Sequence, residues 1–193
     1  MRDINIFLKE KTLKMFCLGF SSGLPILLVF STLSVWLIKA GVSRSTVTLF
    51  SWAGFAYAFK YLWSPLIDNY KLPFLKKFGH RKSWLFLSQL LIIVALILTA
   101  FTDPQNNLFF TALFISLLAF FSATQDILID AFRIESAPQS QQGPLSSMYI
   151  AGYRVAMLTA GAGSLWLAAF FGTETYILDV WKKVCLMMSV FMF

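Results

Sequence analysis

Apolar and polar positions alternate in long blocks along this chain, giving six apolar runs separated by short polar loops. Five runs, 15–38, 46–67, 84–102, 107–131 and 146–171, each hold about the 20 mostly apolar residues that a helix needs to cross a bilayer. A sixth begins near Trp181 and reaches Phe193, too short to span unless 175–180 joins it, which would bury Asp179. The pattern predicts an all-α polytopic membrane protein with six spanning segments, the last of them truncated. Lys9, Lys11 and Lys14 precede the first run as they would in a signal peptide. That run is longer than the roughly 7 to 15 apolar residues of a signal sequence and has no small-residue cleavage site, so it reads as a retained first span.

Composition agrees with the pattern. The chain is 58% hydrophobic and 13% charged with 21 Phe, whereas a soluble domain is about 25% charged. The net charge of +7 does not imply a nucleic-acid partner, because the bases collect in the loops and act as topology determinants; the partner is the lipid bilayer. Arg2, Lys9, Lys11 and Lys14 in the N-terminal arm, with Lys71, Lys76, Lys77, Arg81 and Lys82 in the second-to-third loop, predict that both face the cytoplasm. The opposite side has Lys39 and Arg44 in one loop, no base at 102–106, and Glu174 and Asp179 in the last loop. Lys182 and Lys183 are the exception, tolerated if they snorkel to the interface.

Catalytic and metal chemistry have little to work with. Cys17 and Cys185 lie in apolar runs without metal or disulfide spacing, and read as filler side chains. The one histidine, His80, sits in a basic loop far from Ser21 and Ser22, so no enzyme activity, metal or cofactor is expected.

Charges inside the spans are the chemistry-bearing feature. Asp126, Asp130 and Arg133 follow i, i+4, i+7 spacing at the end of the fourth run, so a helix projects them from one face. Such side chains normally face a bundle interior or a water-filled path. Lys60 precedes the end of its run at Ile67 by seven residues, Asp126 precedes Arg133 by seven, and Arg154 follows Ser147 by seven. At 1.5 Å per residue all three are about 10 Å inside the cytoplasmic face. A base within about 4–6 Å holds a buried carboxylate ionised, and a partner that comes and goes makes that carboxylate a proton carrier. Lys60, Asp126, Asp130 and Arg154 are therefore the expected charge network; the same residues would serve equally as a fixed salt-bridge cluster joining three helices. Asp130 and Arg133, nearer the surface, fit a gating or clamping role.

Small and polar residues complete the picture. Gly152 and Ala160-Gly-Ala-Gly-Ser164 allow close helix approach. Gly19-Phe-Ser-Ser-Gly-Leu-Pro25 places two glycines and a proline inside the first span, favouring a kink. Ser21, Ser22, Thr124 and Gln125 are the expected polar lining of a cavity, and Gln89 has no assigned partner.

Pro65, Asp68 and Gly79-His-Arg-Lys82 resemble a degenerate form of the loop signature of the major facilitator superfamily, in which an aspartate and an arginine pin neighbouring helix ends. Ser64 stands where that signature has a glycine, and 70–78 resembles an insertion. Asp68, Arg81 and Arg133 are on this basis the expected helix-end clamp. Gly19–Pro25, Phe59-Lys-Tyr-Leu-Trp-Ser-Pro-Leu-Ile-Asp68, Gly79-His-Arg-Lys-Ser-Trp84 and Phe121-Ser-Ala-Thr-Gln-Asp-Ile-Leu-Ile-Asp-Ala-Phe-Arg133, in this order, resemble the AmpG-type muropeptide permeases of that superfamily over nearly the whole chain. The resemblance implies the N-terminal six-helix half of a twelve-span, proton-coupled importer of anhydro-muropeptides in the bacterial inner membrane, serving peptidoglycan recycling. Acetyl-CoA transporters resemble the same pattern, making acetyl-CoA an alternative solute. The half-length chain further implies a truncated or split form that pairs with a separate C-terminal half, or else a non-transporting remnant or membrane interaction protein.

Overall fold

A computed structural model describes residues 10–72, 79–172 and 175–192. Arg2, Lys9, Lys76, Lys77, Glu174 and Phe193, used above for topology and length, lie outside the described residues. The described residues are helical, without strands. In chain order they form α1 (Glu10–Lys39), α2 (a broken helix over 44–69), α3 (His80–Ala100), α4 (Leu108–Ser136), α5 (Gln139–Phe171) and α6 (Leu178–Phe191). Four of these, α1, α3, α4 and α5, are long and apolar enough to cross a membrane. The protein is all-α and polytopic.

The helices outrun the apolar runs that predict them. α1 begins with a polar turn at Glu10, where Lys14 Nζ pairs with Glu10 at 2.6 Å, and α4 continues to Ser136. A 29-residue helix is about 43 Å long, more than the roughly 30 Å hydrocarbon layer, so the polar turns extend beyond it.

α2 corrects the expectation of a continuous second span. It runs as α-helix at Arg44–Leu49, 3-10 turn at Phe50–Gly54, α-helix at Phe55–Ala58, 3-10 turn at Lys60–Leu62 and α-helix at Ser64–Asn69. Pro65 lacks an N–H and crowds the preceding residue, so the ladder reforms only at Ser64. α6 has 14 residues, about 21 Å, and starts one residue before Asp179. Asp179 is exposed in its first turn, where a carboxylate complements the helix dipole, rather than buried.

α1 packs along α5, α3 along α4, α4 also touches α1 and α2, and α6 closes against α3 and the end of α5. Gly19, Gly23 and Gly152 make the α1–α5 contact possible. A Cβ on Gly19 would strike the Tyr149 carbonyl, and one on Gly152 the Phe16 carbonyl. The disturbance expected from Pro25 takes the form of a π-helical turn at Leu28–Thr32. It faces a second π turn at Thr159–Gly163, where Thr32 Oγ1 donates to the Ala160 carbonyl at 2.7 Å.

Leu24, Leu37, Ile92, Leu96, Ile115, Trp36 and Met188 build an apolar core toward the end of the bundle that carries 102–107. Polar side chains concentrate in the other half. At the 102–107 end, Trp36 stacks on Trp181 with centroids 5.9 Å apart, and Lys182 lies 4.4 Å over the Phe101 ring. Lys182 and Lys183 thus rest on aromatic faces, Lys183 on Phe171. Cys17 is exposed and Cys185 buried, both free.

Candidate functional site

Asp126 is the centre of the polar half. It lies ten residues before the end of α4 at Ser136, about 15 Å along the axis. Its Oδ1 accepts a 2.5 Å hydrogen bond from Ser22 Oγ on α1, and its Oδ2 lies 3.7 Å from Lys60 Nζ on α2. The carboxylate is 13% exposed and the lysine 32%. Lys60 also lies 3.9 Å from Asp130 Oδ2, whose Oδ1 meets Arg133 Nη2 at 3.2 Å. Two acids and two bases on α2 and α4 thus form one neutral chain of charges, reached by α1 through Ser22. The 3-10 turn at Lys60–Leu62 presents the lysine at this level.

Arg154 stands apart from the network it is expected to join. It is exposed, and its guanidinium reaches the Met157 sulfur at 3.9 Å; among the described residues it has no ion pair. The reason is rotation. Gly152 and Ala156 press α5 against α1, which turns Tyr149 and Tyr153 toward the network. Arg154 is about 100° further round the helix from Tyr153.

Arg133 also changes place. The helix-end clamp joins Arg81 to Asp68 through Nη1, and to Glu135 through Nε at 3.2 Å and Nη2 at 3.0 Å. Glu135 thus stands where Arg133 is expected, tying the ends of α2, α3 and α4. Gly79 enables the approach to α3, since its φ of 84° is in the left-handed region. Arg133 instead belongs to the inner network, its guanidinium 5.4 Å over the Tyr149 ring.

Ser21, Ser22, Thr124 and Gln125 are buried between helices rather than spread along a cavity wall. Gln125, 0% exposed, donates to Ser21 Oγ at 2.8 Å and to Gln89 Oε1 at 3.4 Å, and Gln89 in turn donates to the Met192 carbonyl at 2.5 Å. Thr124 Oγ1 accepts from Trp63 Nε1 at 3.1 Å. These are interhelical hydrogen bonds in a setting with little water to compete.

Sequence reasoning missed the tyrosines. Tyr149 shares a 2.9 Å hydrogen bond with Ser22 Oγ, and its ring lies 6.1 Å from that of Tyr153. Their i, i+4 spacing in the fifth run was the available signal. The Tyr57 and Ser122 hydroxyls are buried beside each other without full hydrogen-bond geometry, and Gln125 Oε1 is buried without a hydrogen-bond partner among the described residues. Ser122 is one turn from Asp126 on α4, and Tyr57 one turn from Lys60 on α2.

A separate pocket of about 610 Å³ opens between α2 and α4, lined by Phe50, Trp52, Leu108, Phe109, Ile115 and Phe120. It is apolar and holds none of the charged residues.

The family described as acetyl-coenzyme A transporter 1 matches residues 12–158. The chain is 42% identical over 174 residues to the Rickettsia conorii protein named as transporter AmpG 4, covering 90% of this chain and 42% of that protein. It is 39% identical over 165 residues to the anhydromuropeptide permease of Escherichia coli K12, covering 86% of this chain and 33% of the permease. Transporter AmpG 3 of Rickettsia prowazekii is 39% identical over 160 residues, 82% of this chain and 38% of that protein. The chain thus spans less than half the length of these relatives.

Proposed function

Because the chain belongs to the acetyl-coenzyme A transporter 1 family, we propose that it forms the N-terminal six-helix bundle of a proton-coupled solute carrier with the major facilitator architecture. It sits in the bacterial inner membrane with its N-terminus in the cytoplasm. The observation that carries this reading is the Asp126 carboxylate, held between Ser22 on α1 and Lys60 on the broken helix α2.

The chemistry follows from charge balance. A proton on Asp126 cancels its attraction for Lys60, and the ammonium then leans on Asp130, 3.9 Å away. α2 is the element that can answer, because one 3-10 turn begins at the lysine, another lies before it at Phe50–Gly54, and both leave its ladder incomplete. Proton arrival is thereby converted into movement of α2 against α4, and the Arg81 clamp at their ends sets how far it travels. Alternating access needs a second bundle facing this one, so a C-terminal half, in the same or another chain, is a required partner.

The solute we assign is an anhydro-muropeptide, on the strength of the Escherichia coli permease being 39% identical to this chain. Acetyl-CoA is the second reading, favoured by the description of the matching family. A third reading keeps the Lys60–Asp126–Asp130–Arg133 chain as a permanent fastener in a non-transporting membrane protein.

Uptake of labelled anhydro-muropeptide by permease-deficient cells, given this chain together with a C-terminal bundle, separates these readings. The expected result is uptake stimulated by an inward proton gradient, with Asp126→Asn losing at least tenfold of that stimulation. Uptake that ignores both the gradient and the substitution would overturn the coupling role.

A further inference from the structure

Arg154 is the sole charged residue of α5, and its position is awkward. It lies seven residues past Ser147, about 10 Å inside the cytoplasmic face. The guanidinium cannot discharge itself, since it stays protonated under any physiological condition. A fixed cation at this depth requires a wet path and an anion.

Among the described residues no acid supplies the anion. Asp126 is held by Ser22 and Lys60, and Asp130 by Lys60 and Arg133. Two acids against two bases leave that network neutral. Arg154 adds one positive charge without an ion pair, and among the described residues its hydrogen-bond contact is the Met157 sulfur at 3.9 Å.

Two tyrosines precede Arg154 on α5. The Tyr149 and Tyr153 rings stand 6.1 Å apart along one side of α5, both half-buried. Arg133 caps the Tyr149 end, and the Tyr153 hydroxyl is within electrostatic reach of both Asp126 and Arg154. Tyr149 and Tyr153 thus form a rail on α5 between the charge network and Arg154, which is exposed and has no ion pair among the described residues. Aromatic faces take the apolar side of a sugar or an extended acyl or peptide group, and a guanidinium takes a carboxylate or phosphate through two parallel hydrogen bonds.

We propose that Arg154, with the Tyr149–Tyr153 rail, is the anion-recognition site of the carrier and receives a carboxylate or phosphate of the solute while the tyrosines support its body. This rests on the reading of the chain as part of a solute carrier, and it gives Arg154 a role distinct from proton coupling.

The test measures binding to the chain assembled with a C-terminal bundle and purified into nanodiscs of zwitterionic lipid, where headgroups offer no net anion. Two ligand pairs are compared: an anhydro-muropeptide against its carboxyl methyl esters, and acetyl-CoA against S-acetylpantetheine, which lacks the phosphates of the CoA nucleotide. The expected result is a preference of tenfold or more for the anionic member of at least one pair. Arg154→Gln brings that preference within twofold, and Arg154→Lys keeps part of it, because the charge survives while the planar fork is lost. The responding pair identifies the carboxylate or the phosphate as the group bound. The idea is overturned if wild-type protein prefers neither anionic ligand, or if Arg154→Gln leaves the preference intact. It is equally overturned if Arg154→Gln weakens only assembly with a second bundle. Loss of gradient-driven uptake in the cell assay without change in these ratios would remove the coupling mechanism and leave the anion site standing.

Discussion

At the residue scale, the polar half is governed by how few partners each buried group has. Ser22 carries two duties, donating to Asp126 and sharing a hydrogen bond with Tyr149. Ser22→Ala leaves the carboxylate without its shortest contact and is expected to lower stability by about 1 kcal/mol, the scale of a hydrogen bond between membrane helices, read as a lower midpoint of thermal unfolding in detergent. The opposite end offers a cleaner titration. Tyr176 accepts from Trp36 Nε1 at 3.4 Å and donates to Asp103 at 3.0 Å, in the connection between α5 and α6. Burial is the main cause that pushes its hydroxyl from the ordinary 10.0 up to about 12; the Trp36 contact opposes the shift and Asp103 reinforces it. A folded-state value above the unfolded one means that this contribution to stability is complete below pH 10 and is lost as pH climbs to about 12. Thermal unfolding of Tyr176→Phe is expected to lack that alkaline decline, and an identical decline in both proteins would refute the assignment.

At the element scale, two kinds of contact hold the helices. The first is close approach without side chains, between α1 and α5 at Gly19, Gly23 and Gly152. Gly152→Val forces backbone separation and is expected to destabilise the bundle by up to about 3 kcal/mol, in line with overpacking of a tight contact; folded yield on size-exclusion chromatography reports it. The second is the Arg81 clamp. Its partners Asp68 and Glu135 are about half exposed, so each pair is worth little alone. A double-mutant cycle between Arg81→Gln and Glu135→Gln is expected to give a coupling of about 0.5–1 kcal/mol. Its larger effect belongs to transport, since three helix ends meet at one guanidinium. α2 is different from both: with breaks at Phe50–Gly54 and Lys60–Leu62, it is the helix whose geometry depends on its neighbours.

At the scale of the whole molecule, polarity is divided along the bundle axis. The apolar core lies toward the 102–107 connection, and the charge network lies toward the ends that carry Asp68, Arg81 and Glu135. With basic residues gathered in the N-terminal arm and the second-to-third loop, reporter fusions after Tyr70 and after Asn106 are expected to fall on opposite sides of the membrane, the first in the cytoplasm. Both fusions on the same side would remove the orientation, and with it the direction assigned to the proton.

Much of this was legible in the chain itself. Hydrophobic run length determined the all-α, membrane-spanning class and four of the spanning helices, because a bilayer imposes one length on every crossing. Spacing along single helices placed Asp126, Asp130 and Arg133 on one face, and the depth count brought Lys60 to Asp126. Rotation of one helix about its axis against another is absent from such counts, and the tertiary structure alone decided it. The glycine contact between α1 and α5 turned Tyr149 and Tyr153 toward the network and Arg154 away from it. The same packing made Glu135, rather than Arg133, the partner of Arg81, and drew Ser21, Ser22, Thr124 and Gln125 into hydrogen bonds between helices. Depth is a property of one helix and a count of 1.5 Å steps; partnership belongs to a pair and depends on which faces pack.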